Sequence, residues 1–529
     1  MQPPSLSRRQ FLALGGAGAA GVALAGCGGP TARRPPILPT DPAVGIVEQS
    51  RRRTGGAVRD VALTAAPLTV DLGGLVAPTW AYGSTVPGAE IRLRAGDVLR
   101  ARFTNNLPEP TTIHWHGIAL RNDMDGVEHV TQVPVPPGGS FLYEFAAPDP
   151  GTFWFHPHIA LQLDRGMYAP LIVEDPSEPG GYDREYVVVL DDWTDGVGQA
   201  PEEHLGQLRR GEGPHAAHIA EGSEGGPRSE FLDSPGGDVA HPLFLLNGRR
   251  PTEPVTFDAR PGDRLRLRII NAAADTPFRV AVGGHRMTGT HSDGFPVEPV
   301  TVDALMIGMA ERYDVLVTVP QAGAFPLVAV AEAKGDQALG VIRTGAGDPP
   351  TRDVRPAELT RRVLDVTELR AAQAVELPPG DPDRLFVAEL GGGEEGYVWT
   401  INGHPHGHHQ PLEVQQGERV RLIFNNQTTM FHPMHLHGHT FQIVVPGEAS
   451  GARKDTAIIR PDQRLAVDFL ADNPGQWMLH CHNVYHQEGG MMTVVSYVGE
   501  RPTPTRGRRA NDLAAGWELA CNWLGVSSA

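Results

Sequence analysis

The run His480-Cys481-His482, followed by His486 and Met491, offers a thiolate, three imidazoles and a thioether in one short stretch. Successive side chains of a strand point to opposite faces, so a strand here turns His480 and His482 one way and Cys481 the other. One peptide then joins two metal sites, with imidazole chemistry on one face and thiolate chemistry on the other. A thiolate, two imidazoles and a weak thioether make a blue-copper electron-transfer site. The run can supply Cys481, His486 and Met491, and the second imidazole must come from elsewhere. The segment His432-Pro433-Met434-His435-Leu436-His437 provides it. His435 and His437 share a face, and His432, three residues before His435, can point to the other side.

Four His-x-His pairs occur, at His114/His116, His156/His158, His435/His437 and His480/His482. One such pair reads equally well as a solvated strand face. Four of them, together with His-Cys-His, point to eight imidazoles aimed at one metal cluster.

The elements that must hold these groups show up as a repeat. Arg94-Ala95-Gly96-Asp97 leads to Asn105, Arg260-Pro261-Gly262-Asp263 leads to Asn271, and Gln416-Gly417-Glu418 leads to Asn426. Between turn and Asn each unit reads as a strand of alternating Arg and apolar residues, as in Arg264-Leu265-Arg266-Leu267-Arg268-Ile269. Nine residues after the Asn come His114, Val280 and His435, and two further on come His116, Val282 and His437. Turns at Gly151, Gly323 and Gly475 precede His156/His158, Val328/Val330 and His480/His482. The outer units carry imidazoles where the middle unit carries valines. The period is domain-sized, far longer than that of solenoid repeats. The expected fold is all-β, three β-sandwich domains, with a metal cluster shared by the first and third.

Composition agrees with this. A chain of 529 residues is long enough for about three domains, and short apolar runs between Gly and Pro clusters suit sandwiches. A net charge of -17 argues against nucleic acid, whose binding requires a basic face. Ser7-Arg8-Arg9-Gln10-Phe11-Leu12 and the apolar stretch behind it read as a twin-arginine export signal over 1–26. Leu24-Ala25-Gly26-Cys27 reads as a lipobox with Cys27 lipidated, or as an ordinary cleavage site with an incidental Cys. Residues 27–58 read as a tether. Lipidation would anchor the protein in the cell envelope, on the outer face of the cytoplasmic membrane. The three cysteines, Cys27, Cys481 and Cys521, leave no disulfide framework.

His114-Trp115-His116-Gly117, His156-Pro157-His158, His432-Pro433-Met434-His435-Leu436-His437 and His480-Cys481-His482-x3-His486-x4-Met491 resemble the motifs of the multicopper oxidases, in the same order. The resemblance implies three cupredoxin-like Greek-key domains, at 59–178, 179–347 and 386–500, with a linker at 348–385 and a tail at 501–529. Gly117-Ile118-Ala119-Leu120-Arg121-Asn122-Asp123-Met124-Asp125-Gly126 and Ile307-Gly308-Met309-Ala310-Glu311-Arg312-Tyr313-Asp314 look like the exported lipoprotein oxidases that protect high-GC Gram-positive bacteria from copper. It implies four coppers per chain and a monomer. His432, Cys481, His486 and axial Met491 would hold type 1 copper. His114 and His435 would hold type 2. His116, His156 and His482 would hold one type 3 copper, and His158, His437 and His480 the other. Electrons would enter at type 1, pass through Cys481 to its neighbours, and reduce O2 to water.

Water formation needs an acid. Asp125 matches the family's acidic position and also reads as an Asp-Gly turn. Some copper-tolerance relatives carry Glu directly after the second type 1 His. Here Gln487 stands there, and adjacent Glu488 is the substitute. Residues 200–241, with His204, His215, His218 and His241, read as a mobile insertion in the middle domain, a solvated loop or a copper-sensing flap. His404-Pro405-His406-Gly407-His408-His409 reads as a transient copper site or a hairpin loop. Met430, Met434 and Met492 offer thioethers to Cu(I) or simply fill the core. The tail from Asn511 has Leu513, Trp517, Ala520 and Leu524 near helical spacing. Three functions fit: oxidation of Cu(I) for copper tolerance, a laccase acting on phenols or aromatic amines, and a non-enzymatic copper store or envelope scaffold.

Overall fold

The structure is a computed structural model that describes residues 34–178, 180–212, 227–393, 396–447 and 450–499. The export signal, Cys27, His215, His218, Cys521 and the helical spacing at 513–524 lie outside them.

Three β-sandwiches follow one another. The first pairs two four-stranded sheets, the second two six-stranded sheets, and the third a six-stranded with a five-stranded sheet. In each, the strand that ends at the repeated Asn lies parallel to the domain's opening strand. Val98–Asn105 pairs with Val58–Asp71, Arg264–Asn271 with Arg184–Trp193, and Arg419–Asn426 with Arg384–Gly392. The Asn is a buried staple. Its Nδ2 donates to carbonyls on two segments, Glu109 and Val135 from Asn105, Thr276 and Ile307 from Asn271, Met430 and Ile459 from Asn426. Its Oδ1 accepts the amide two residues on. A buried amide satisfied this fully fixes the loop that delivers the next strand.

That staple exposes a register change in the middle domain. Asn105 and Asn426 reach carbonyls four residues on, whereas Asn271 reaches Thr276, five on. The loop is one residue longer, and one residue flips every side chain on the next strand. Pairing confirms it: His114 lies opposite His156, His435 opposite His480, and Ala281 opposite Val328. The counterparts of His114 and His116 are therefore Ala281 and Gly283, not Val280 and Val282, which point into the core. Ala281 and Val328 pack with Leu359, from the segment joining domains two and three. The face that carries imidazoles in the outer domains is apolar and covered here.

Two other expectations change. The stretch read as a tether is structured from Pro36 onward. Ile37 N donates to Tyr497 O at 2.7 Å, and the helix Pro42–Arg51 buries Val44 and Glu48. The described part of the 200–241 insertion is not a solvated loop. It begins with the helix Pro201–Arg209, and Ser229, Leu232, Ser234, Asp238, Val239 and His241 are all buried.

Candidate copper centres

The strand Gln476–Cys481 is buried throughout and obeys the parity expected of it. Leu479 and Cys481 join the core that runs through the first and third domains, while His480 faces the cluster opposite His435. Beyond it Asn483 caps the short helix Val484–Glu488, accepting from the amides of Tyr485 and His486. That helix swings His486 back over Cys481. Sγ of Cys481 lies 3.6 Å from His432 Nδ1 and 3.5 Å from His486 Nδ1, and the two nitrogens are 3.0 Å apart. Met491 is buried beside them, its carbonyl accepting from Cys481 N and its amide donating to His486 O.

The eight other imidazoles meet where domains one and three face each other. Ligating atoms of His114, His435 and His437, of His114, His116 and His156, and of His158, His437 and His480 each lie within 4.8 Å of one another. Nε2 of His437 is 3.0 Å from Nε2 of His480, and Nε2 of His156 is 3.3 Å from Nε2 of His482. His114 stacks on His437 and His116 on His435, each at 3.8 Å between centroids.

Two carboxylates hold this array in matching fashion, each reaching one ring from each domain. Asp125 Oδ2 is 2.9 Å from His437 Nδ1, and its carbonyl is 3.0 Å from His114 Nδ1. Asp455 Oδ1 is 3.1 Å from His116 Nε2, and its carbonyl is 3.0 Å from His435 Nδ1. Fixing one ring nitrogen in this way sets the tautomer and aims the other at a metal. The atoms aimed in this way include His114 Nε2, His116 Nδ1 and His435 Nε2. All three are buried, and none has a hydrogen-bond partner among the described residues. Burial, reinforced by neighbouring imidazoles, holds His116, His156, His158, His432, His437, His480 and His482 well below the ordinary imidazole pKa. Neutral imidazole is the form that binds metal. Orphaned nitrogens, neutral rings and one thiolate position fit copper.

The two carboxylates are pulled in opposite directions. Burial raises both, but Arg312 forms a two-pronged pair with Asp455, at 2.8 and 2.6 Å, and keeps it well below the usual range. For Asp125 burial wins and the pKa is raised, with His114 pulling the other way. Gly126, at φ +80, lets the turn fold so tightly that a Cβ would sit 1.9 Å from Ile113 O. The Asp-Gly turn and the acid near the cluster are therefore one feature.

Glu488 stands apart. The groups acting on its carboxyl are Gln487, Glu128 and Arg209, none of them a cluster imidazole. Met430 and Met434 are buried in the main core, and Met492 packs with Val127, Val130, Met478 and Val494. His406 and His409 stack at 5.9 Å on a loop tied to Gly490 O by His406 N.

Sequence reasoning missed Asp455, Arg312 and Asp238. Asp238 comes from the insertion, and its Oδ2 lies 2.7 Å from His486 Nε2 and accepts the Tyr397 phenol at 2.5 Å. Against burial, that carboxylate raises the His486 pKa to about 10. The ring of Trp399 lies 4.2 Å from His486. Arg312 lay inside the motif Ile307–Asp314 with no role attached to it, and the signal for Asp455 was Arg453-Lys454-Asp455-Thr456, a charged run leading into the apolar Ala457-Ile458-Ile459. Nothing local marks Asp238.

Known proteins share the arrangement. Multicopper oxidase domain models match residues 65–178, 184–346 and 377–500. Multicopper oxidase MmcO of Mycobacterium tuberculosis (strain ATCC 25618 / H37Rv) is 49% identical, covering 93% of this chain and 97% of that one. A copper resistance protein A homolog of Pseudomonas syringae pv. tomato is 28% identical over 82% of this chain and 91% of its own. The crystal structure of laccase from Botrytis aclada is 25% identical and superposes with a TM-score of 0.72, over 92% of this chain and 97% of that one. With three matched domains and a donor set suited to copper, the chain belongs to the multicopper oxidases, copper-dependent oxidoreductases built from cupredoxin-like domains.

Proposed function

We propose that the protein oxidises Cu(I) to Cu(II) at the cell envelope, coupling it to four-electron reduction of O2 to water. The carrying observation is the outer edge of the type 1 ligand set. His486 Nε2 is fully buried beneath the Asp238 carboxylate, itself capped by Tyr397. A carboxylate over a buried imidazole suits a small cationic reductant better than a bulky phenol, whose ring needs an exposed imidazole edge to lie against.

When bound, copper supplies one-electron redox at His432, Cys481, His486 and Met491, and multi-electron O2 reduction at the eight imidazoles. The chain's residues do the rest. The backbone from Cys481 to His480 and His482 is the covalent path between the two sets. Asp125 and Asp455 fix the rings, and Asp125, with its raised pKa and no Arg or Lys paired to it among the described residues, suits a proton donor. The buried cluster keeps bulk water away from the reacting atoms. Twelve donors in this order also argue against a store or scaffold, which needs no such wiring. The twin-arginine and lipobox patterns support export and an anchor at Cys27. Cys27→Ser should release the protein from membranes if the anchor is real.

The test is paired turnover on Cu(I) and on a bulky phenol, in the parent and in Asp238→Asn. Cu(I) oxidation should dominate in the parent and fall selectively in the variant. Faster turnover of the phenol by the parent would favour a laccase. The copper resistance protein A relatives support the first reading, and the laccases among the similar proteins support the second.

A further inference from the structure

None of the ligands assigned above comes from the described residues of the middle domain, yet its Glu311-Arg312 motif reaches the cluster. Arg312 is fully buried and makes four hydrogen bonds. Nη1 and Nη2 grip both oxygens of Asp455, Nε donates to Thr152 O at 3.0 Å, and Nη1 also donates to Ala310 O at 3.0 Å. These contacts tie domain one, domain two and domain three at a single guanidinium. The segment that carries Asp455 is fixed from the same domain. Asp293 accepts the amides of Arg312, Asp455 and Thr456 at 2.9, 3.2 and 3.1 Å. Buried Lys454 lies 3.2 Å from both Asp293 and Glu311. Thr456 Oγ1 then bridges Asp455 Oδ1, His435 Nδ1 and His116 Nε2, at 2.8, 3.1 and 3.3 Å. Even Gly117 fits this account. It follows His116 at φ +84, and a Cβ there would lie 2.5 Å from Arg312 Nη2 and 2.7 Å from Asp455 Oδ2.

We infer that Arg312 is a positioning residue for the trinuclear site: its two-pronged pair holds Asp455 square to His116 and His435, so that both rings present their free nitrogens to copper. The inference rests on the reading of His114 and His435 as the type 2 pair and His116 as a type 3 ligand. Type 2 copper has only two protein imidazoles, so misaiming His435 removes half of its hold. Disturbing a group that orients a metal-bound imidazole costs about 10–100-fold in metal affinity. Lys keeps the charge but cannot make the paired bond.

The experiment compares the copper-loaded parent with Arg312→Gln and Arg312→Lys. It reads copper per chain, the type 2 electron paramagnetic resonance signal, the blue band, and copper retained against a chelator. Arg312→Gln should retain the blue band, show a shifted or lost type 2 signal, and give up that copper at about 10–100-fold lower chelator strength. Arg312→Lys should lie between it and the parent. Arg279→Lys is the control, since Arg279 pairs with buried Glu332 at 2.7 Å in the same domain and touches no ligand. It should lower stability without moving the type 2 signal. A merely structural role for Arg312 would make its variants behave like this control. If Arg312→Gln fails to fold, Arg312→Lys and the near-isosteric Asp455→Asn decide by the same readouts. Folded variants with the parent's type 2 signal and chelator resistance overturn the inference. A parent that itself lacks a type 2 signal overturns the ligand assignment instead.

Discussion

Replacing Asp125 by Asn should slow reoxidation by O2 without disturbing copper binding or electron entry. The geometry makes this a clean perturbation. Asp125 Oδ2 serves His437 Nδ1, and an Asn carbonyl oxygen can take the same place at 2.9 Å. The other oxygen is 3.2 Å from His114 Nδ1, but that nitrogen also has the Asp125 carbonyl at 3.0 Å, which the substitution leaves untouched. Both rings therefore keep an acceptor, and copper content should match the parent. What disappears is the ionisable carboxyl at a site where burial raises its pKa. Losing a general acid costs about 10²–10⁴-fold in the step it serves. The assay is stopped flow on reduced enzyme mixed with O2, following return of the blue band. Reduction of the oxidised enzyme by substrate should be unchanged. Recovery as fast as the parent's, at equal copper content, would refute the reasoning and leave Asp125 as a ring-orienting turn residue. Asp125→Ala is the contrasting variant. It removes the carboxylate acceptor of His437 and should release copper at about 10–100-fold lower chelator strength.

Cys481→Ser should bleach the blue band and abolish oxidation while the eight-imidazole cluster stays loaded, which absorbance and copper analysis together check. A variant that stayed blue would refute the thiolate assignment. Val328→Ala should cost about 1–3 kcal/mol in thermal or denaturant unfolding, because Val328 is buried against Ala281 and Leu359. Copper per chain should stay the same, and loss of a copper from the folded variant would contradict the middle-domain register. Glu488→Gln should leave the O2 step within about twofold of the parent, since its carboxyl answers to Gln487, Glu128 and Arg209 and a general acid's contribution requires hydrogen-bond reach. A large slowing would return the second proton donor to that helix.

Side-chain parity made the ligand sets legible in the sequence. A strand alternates faces by geometry alone, so His480-Cys481-His482 had to split between two sites, and His435 and His437 had to share one. The repeat was legible because each domain needs the same buried Asn to staple the same loop. The equivalence of the middle domain came out one residue wrong, since an extra loop residue after Asn271 is invisible until Ala281 is seen opposite Val328. The supporting residues were decided only by tertiary structure. Asp455 and Asp238 reach ligand rings, and Arg312 reaches Asp455, across domain boundaries and from positions far away in the chain. A ligand is recognisable because its chemistry and local spacing suffice. A residue that orients a ligand is an ordinary charged side chain, and packing alone gives it a partner.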